Sequence, residues 1–463
     1  MAHIQKESML VIQGVEITGV GSHIIDPEHE QCKVRAVSNP AISESLAGHE
    51  RYFRGLFQLL RNWEASPSSV VDQAPLYDSA DWRQLNPDDQ ITALVLWQKY
   101  RGNIPTDADP RWIQFDALPD KIFDLTGIRS RYWALPGVAT SDLGKQAAEQ
   151  ALAVSGLNPE SVGFIMVATT TPDHPQTPLT ATRIKGKLGI QNPDVFCIDV
   201  TAACTSYASA MQVAYGLIAS GQYKSGLVIG ADVMSGTASP YNRNLRIVLG
   251  DGAFCAVLEA CPIAQNAFIP GGFFARSDPS LGDLIVVPAG GSALPVSPEM
   301  IIDPFDQRHL MFMDGHTVRK RAERMLLQKK TDGELPRLVG LMAEAAERAG
   351  LLFPDIDFVA MHQANLRIIN PPIQLMREFG FAGQVHNNIE RFGNTTSASG
   401  GLCLDEAWQC GELEEGDLVE FVAFGGGMTA VTFMVRWTLG SYPSEHLPYR
   451  LLDSNRRPRV PIS

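Results

Sequence analysis

Three residue neighbourhoods in this chain have the chemistry of a thiol enzyme. Cys204 stands in Asp199-Val200-Thr201-Ala202-Ala203-Cys204-Thr205-Ser206, where a short apolar strand pattern gives way to a helical one. Small neighbours allow a substrate to approach the sulfur. A thiol at a helix start also meets unpaired N–H groups and the positive end of the helix dipole, so its pKa is expected to fall. Such a cysteine is a competent nucleophile toward thioesters. Equally, Cys204 reads as a small core residue, the usual fate of a buried cysteine. His362 follows the apolar run Phe358-Val359-Ala360-Met361, at a strand's C-terminal end, where α/β folds commonly hold ligands. Taken alone it reads as a satisfied structural histidine. Asn394, in Arg391-Phe392-Gly393-Asn394-Thr395-Thr396-Ser397, carries by itself only a turn and N-cap signal. Phe424-Gly425-Gly426-Gly427-Met428 lies between two apolar runs. Three glycines there point either to close backbone approach or to a plain tight hairpin.

The elements around these residues alternate. A strand is expected within residues 10–20. The pattern predicts an amphipathic helix over 43–64, with Leu46, Phe53, Phe57 and Leu60 near helical spacing. Pro87-Asp88-Asp89 suits the first turn of a second helix over 87–101. This region holds Trp63, Trp82, Trp97 and Trp112, four of the seven tryptophans. It reads as a packed helical insertion or as a lid or partner-binding element. Beyond Thr126 come helix 142–155, strand 162–169, helix 177–188, strand 195–200, helix 204–220, strand 226–231 and strands within 245–259. A second run has helix 335–350, strand 357–361, helix 365–379, helix 397–410 and strands 418–424 and 429–437. Short apolar strands alternating with helices predict an α/β protein with two halves of similar element order. The expected division is 1–26 (first strand), 27–124 (insertion), 125–264 and 265–439 (the two halves) and 440–463 (tail). Gly440–Ser463 carries four prolines and four arginines and is expected to be an extended arm or partly disordered.

Composition narrows the function classes. The 463 residues are 45% hydrophobic and 19% charged, enough apolar material for a large core. Acidic residues outnumber basic ones 51 to 38, and a net charge of −13 argues against a general nucleic-acid binder. No run of 18 apolar residues occurs, so no membrane span is expected, and the first residues lack a secretory apolar stretch. Seven cysteines without CxxC spacing read as reduced thiols with no structural metal, in a cytoplasmic protein.

Taken together, TGIRSR (126–131), DVTAACTS (199–206), VLGDGA (248–253), HQANLRII (362–369), RFGNTTSAS (391–399) and FGGG (424–427) resemble the β-ketoacyl-acyl-carrier-protein synthase III family of the thiolase superfamily. The resemblance spans roughly residues 10–25 and 126–438. It implies a five-layered α-β-α-β-α thiolase fold with two pseudo-repeated halves, and a homodimer. It implies that Cys204 is the nucleophile, with His362 and Asn394 as its polar partners. The backbone N–H groups of Cys204 and Gly426 would form the oxyanion hole, and Phe424 would flank the decarboxylation site. The implied reaction loads an acyl group on Cys204, then condenses it with a malonyl or β-keto acyl thioester. No metal or redox cofactor is implied.

Two departures bear on the substrate. The family's tryptophan and arginine that sandwich the adenine of coenzyme A have no counterpart near Lys121 and Leu125, and the aromatic-rich insertion precedes them. This points to acyl groups arriving on an acyl carrier protein. Arg243 resembles a family arginine at the mouth of the pantetheine tunnel, and Lys320 and Arg367 resemble positions that face the carrier. Arg319, Lys320, Arg321 and Arg324, on a helix starting near Gly315, form a basic cluster for an acidic partner, or else an ordinary solvated charge run. Three other outcomes fit parts of the pattern: acyl transfer without condensation, joining of two acyl chains in a specialised pathway, and an inactive partner subunit.

Overall fold

The computed structural model describes residues 13–23, 34–65, 84–111, 119–237, 243–331 and 336–442. Cys32, Trp82, Trp112 and most of the expected tail lie outside them, as does the side chain of Arg243.

Short β-branched runs such as Phe164–Ala168 and Phe358–Met361 are buried at every position, so each must be covered on both faces. The chain satisfies this with two five-stranded sheets. In the first the order is Gly14–His23, Gly252–Cys261, Ser225–Asp232, Phe164–Ala168, Phe196–Val200. In the second it is Phe274–Ser277, Thr429–Arg436, Leu418–Gly425, Phe358–Met361, Gln384–Val385. Directions also correspond. In each sheet the first two neighbouring pairs are antiparallel and the last two parallel. The two halves therefore repeat one topology.

Between the sheets lie the helices Ser206–Ala219 and Ser399–Gln409. The first, SYASAMQVAYGLIA, is apolar around most of its circumference, as a helix packed on both sides must be. The second buries Ser399 through Trp408 without a break. Phe254 and Phe421, from different sheets, both pack on Tyr207 of the first central helix, with ring centroids 5.4 and 5.6 Å away. Helices Thr140–Ser155 and Thr180–Lys187 cover the outer face of the first sheet. Gly315–Leu326, Leu341–Ala349 and Leu366–Glu378 cover that of the second. The result is the expected five-layered α-β-α-β-α arrangement.

The helices Asn39–Glu64 and Pro87–Tyr100 share a satellite core of Phe53, Leu56, Phe57, Leu60, Ala93, Leu96 and Tyr100. Phe57 stacks on Phe305 at 5.7 Å, and the Tyr100 hydroxyl donates to Asp303 at 2.8 Å. The N-terminal end of Asn39–Glu64 enters another cluster, in which Ile42 and Leu46 meet Ile122, Trp133, Val248 and Ile389.

Two expectations change. Residues 335–350 are not one helix: Arg337–Val339 is a strand, Gly340 turns at φ 125°, and the helix spans Leu341–Ala349. Pro336 and Gly340 bracket that strand, and a side chain at 340 would meet the Leu326 carbonyl oxygen at 2.7 Å. The run 245–259 is likewise not all strand. A helical turn, Arg243–Arg246, precedes it, and the ladder begins only at Gly252.

Candidate active site

Cys204 and Asn394 occupy corresponding places in the two halves. Each follows the edge strand of its sheet and precedes the central helix. Among the described residues only two non-glycine positions have positive φ, Ala203 at 50° and Thr396 at 47°. They sit in these two turns. Left-handed backbone at Ala and Thr costs energy and persists where surrounding contacts over-determine it.

The contacts at Thr396 are visible. Asp232, fully buried at the end of Ser225–Asp232, accepts through Oδ1 from Thr169 Oγ1 (3.0 Å) and Thr170 N (2.7 Å), and from Thr171 Oγ1 (3.0 Å). Its Oδ2 accepts from the Thr396 hydroxyl and from Ser397 N at 3.0 Å. One carboxylate of the first half thus fixes the turn that carries Asn394 in the second. On its other side, Asn394 N donates to Val248 O and Gly250 N to Asn394 O, both at 2.9 Å. This explains why the apolar run after Leu245 is no strand: it is bonded to the Asn394 loop. Arg131 of the TGIRSR motif lies buried beneath, donating to Ile247 O at 2.5 Å and Asn39 Oδ1 at 2.8 Å. Burial lowers that guanidinium to about 10.

The Asn394 carboxamide is oriented by its own turn. Its Oδ1 accepts from Thr396 N at 2.9 Å, which leaves the Nδ2 hydrogens as the available donors. His362 N donates to Val422 O at 2.8 Å, anchoring the residue at the end of Phe358–Met361. Its Nδ1 lies 2.5 Å from the Ser399 hydroxyl, five residues beyond Asn394. Phe424 packs edge-on against the imidazole at 5.3 Å. Burial drives the His362 pKa down to about 3, so the ring is neutral at ordinary pH.

The glycine turn closes the site on the sulfur side. A Cβ at Gly425 would lie 2.8 Å from Cys204 N and 2.9 Å from Cys204 Cβ, and one at Gly426 would lie 3.3 Å from Ala203 Cβ. Close approach, not a plain hairpin, explains these glycines. The imidazole packed on Phe424, the turn beginning at Gly425 and the backbone of Cys204 therefore follow one another along the chain of close approaches. The Asn394 loop joins it through Ser399 and Asp232.

One expectation about the thiol is corrected. Burial raises the Cys204 pKa to about 12; the Asp232 carboxylate adds to this, and the residue's own backbone N–H opposes it. Cys204 also precedes the helix, whose N-cap is Thr205 and whose first residue is Ser206. Desolvation is the largest influence on the sulfur, and the resting thiol is protonated.

The basic positions are more dispersed. Lys320 is exposed, on the helix Gly315–Leu326. Arg367 is exposed on the neighbouring helix Leu366–Glu378 and donates to Asp124 O at 2.7 Å. Arg319 pairs with Glu323 at 3.1 Å. Arg321 and Arg324 line a 570 Å³ cleft with Arg276. Arg243 begins the helical turn Arg243–Arg246. Among the described residues no cluster of His, Cys, Asp or Glu is arranged to hold a metal ion, and no helix is long and apolar enough to cross a membrane.

Sequence reasoning missed Asp232, Ser399 and Gly425. Asp232 carried the signal used for His362, a polar residue at the C-terminal end of an apolar strand. Gly425 was visible only as one of three glycines.

Comparison with known proteins agrees with this architecture. The family profile for 3-oxoacyl-[acyl-carrier-protein (ACP)] synthase III matches residues 198–278, and the one for its C-terminal part matches residues 346–437. The chain is 36% identical over 354 residues to a beta-ketoacyl-[acyl-carrier-protein] synthase III of Desulfitobacterium hafniense, covering 76% of this chain and 95% of the relative. It is 33% identical over 323 residues to one of Caldanaerobacter subterraneus, covering 70% and 91%. The crystal structure of 3-oxoacyl-(acyl carrier protein) synthase III from Pseudomonas aeruginosa superposes with a TM-score of 0.63 at 24% identity, covering 93% of this chain and all of that one.

Proposed function

The chain belongs to the beta-ketoacyl-[acyl-carrier-protein] synthase III family and is a condensing acyltransferase, and we propose that Cys204, His362 and Asn394 carry its reaction. The observation that most supports this assignment is the glycine turn of Gly425 pressed against Cys204, with the imidazole of His362 packed on the adjoining Phe424.

Cys204 Sγ attacks the carbonyl carbon of an acyl thioester. The C–S bond of the donor breaks, and the departing thiol carries the proton that Cys204 loses. The backbone N–H groups of Cys204 and Gly426 stabilise the tetrahedral oxyanion; loss of one such donor typically costs about 3 kcal/mol. A malonyl thioester then loses CO2, and the electron pair of the broken C–C bond becomes an enolate. His362 Nε2–H and Asn394 Nδ2–H hydrogen-bond its thioester oxygen, and Phe424 shields the site where CO2 forms. The enolate carbon attacks the acyl carbon, expels the Cys204 thiolate and leaves a β-keto thioester; the thiolate takes one proton from solvent, the proton that decarboxylative condensation consumes. A neutral imidazole suits this role, since it donates one hydrogen bond without presenting a cation to the departing carboxylate.

Acyl groups reach the site on an acidic carrier protein, in the cytoplasm. Lys320 and Arg367, exposed on adjacent helices, support this, as does the family resemblance at both positions. Arg243 belongs to the same proposal. Coenzyme A is a poor primer, because Lys121 and Leu125 stand where an adenine sandwich is expected. The protein is a homodimer. Phe196–Val200 is an edge strand with only partly buried side chains, Phe196 is 40% exposed, and Val213 on the following helix is 46% exposed. Edge strands of this kind call for a partner, and self-pairing about a two-fold axis satisfies it.

The test is Cys204→Ala assayed for β-keto product from an acyl donor and a malonyl-carrier thioester. Product formation should vanish, and wild-type turnover in the variant would refute the assignment.

A further inference from the structure

Resting on the assignment of His362 to enolate stabilisation, we propose that Ser399 is a positioning residue whose hydroxyl donates to His362 Nδ1 and so holds the imidazole proton on Nε2. In a neutral imidazole, the partner of one ring nitrogen decides which nitrogen carries the proton. Ser399 Oγ has three neighbours: His362 Nδ1 at 2.5 Å, the Gln363 N–H at 3.2 Å and the Thr396 carbonyl oxygen at 3.0 Å. The Gln363 N–H donates into an oxygen lone pair. The single hydroxyl proton is then contested by two acceptors, Nδ1 and Thr396 O. Thr396 O, which also receives the backbone N–H of Ser399, keeps a second lone pair for the hydroxyl at 3.0 Å, but Nδ1 at 2.5 Å is the nearer acceptor and the one on which the proposal places the proton. The proton goes to Nδ1, which must then be bare, and the ring's one N–H is at Nε2. Among the described residues no hydrogen bond engages Nε2, so its proton is available to a substrate oxygen.

The surroundings hold this arrangement in place. Ser399 is 1% exposed and His362 is 2% exposed, which limits competition from bulk water. Burial also keeps the ring neutral, with a pKa near 3, so the tautomer rather than the charge is what remains to be set. Ser399 opens the central helix five residues after Asn394, and its own turn is tied to Asp232 through Thr396 and Ser397. One short segment therefore orients both donors that meet the enolate oxygen.

The experiment uses the full-length protein with 15N-labelled histidine. Nitrogen chemical shifts of His362, assigned by difference against His362→Ala, report which ring nitrogen is protonated. The proposal predicts a protonated Nε2 in the wild type and redistribution toward Nδ1 in Ser399→Ala. CO2 release from a malonyl thioester should fall about ten-fold or more in Ser399→Ala, with recovery in Ser399→Thr. The deficit should lie in CO2 release rather than in the mass shift of acylated Cys204. A protonated Nδ1 in the wild type would overturn the proposal, as would undiminished CO2 release in Ser399→Ala. Should Ser399→Ala not fold, the wild-type tautomer alone decides. Full CO2 release in His362→Ala would instead sink the role given to His362 itself.

Discussion

At the scale of single residues, the site combines a protonated thiol, a neutral imidazole and an oriented carboxamide. Because burial raises the Cys204 pKa to about 12, thiolate is scarce at neutral pH. Alkylation of Cys204 by iodoacetamide should therefore climb with pH and show no plateau between about pH 6 and 9; a plateau there would mean a depressed pKa. Asp232 makes a second prediction. Asp232→Ala leaves the buried donors of Thr169, Thr171, Thr396 and Ser397, and the half-buried N–H of Thr170, without their acceptor. Denaturant titration should show a loss of about 3 kcal/mol or more. His386 supplies a pH dependence. Its contacts with Glu406 at 3.1 Å and Glu412 at 2.8 Å outweigh burial and raise its pKa from 6.5 to about 9. A raised folded-state pKa stabilises fully below the unfolded value and less as pH climbs through the folded one. The thermal midpoint of wild type should exceed that of His386→Gln at pH 6, and the gap should narrow between pH 6.5 and 9.

At the scale of elements, the turns rather than the strands decide the chemistry. Gly425→Ala pushes a methyl group into the backbone of Cys204 and displaces the proposed nucleophile. Turnover should fall about 100-fold with the fold retained by circular dichroism, since misplacement of about 1 Å costs that much. Helix and strand periodicity made most of these elements readable from sequence. The helix at Pro87–Tyr100 and the strand pair Leu418–Gly425 and Thr429–Arg436 lie within a residue or two of expectation. Periodicity failed at Ile247-Val248-Leu249, an apolar run whose backbone partner is Asn394 rather than a sheet neighbour. Only a long-range pairing, invisible to a local window, distinguishes that segment from a strand. The helix-end argument for Cys204 failed for a related reason. Sequence shows the helix start but not the desolvation of the sulfur or the Asp232 carboxylate near it, both of which raise the pKa.

At the scale of the molecule, the duplicated topology gives each half one turn between its edge strand and its central helix, carrying Cys204 in the first half and Asn394 in the second. That duplication was legible as a repeated element order, whereas the clamp of one half's Asp232 on the other half's Thr396 was not. A chain of 50.5 kDa whose Phe196–Val200 edge pairs on its outer side with no other described strand should sediment at twice its mass, and Phe196→Lys should shift it toward the monomer. Reversal of charge at Arg367 should weaken carrier-dependent turnover in a manner that salt erases in the wild type. The most direct test of the whole assignment is intact-protein mass spectrometry of Cys204 through one turnover. An acyl donor should add a single acyl mass that maps to Cys204, and a malonyl-carrier thioester should then discharge it with one CO2 released per product. An adduct on another residue, or discharge without CO2, would contradict the account.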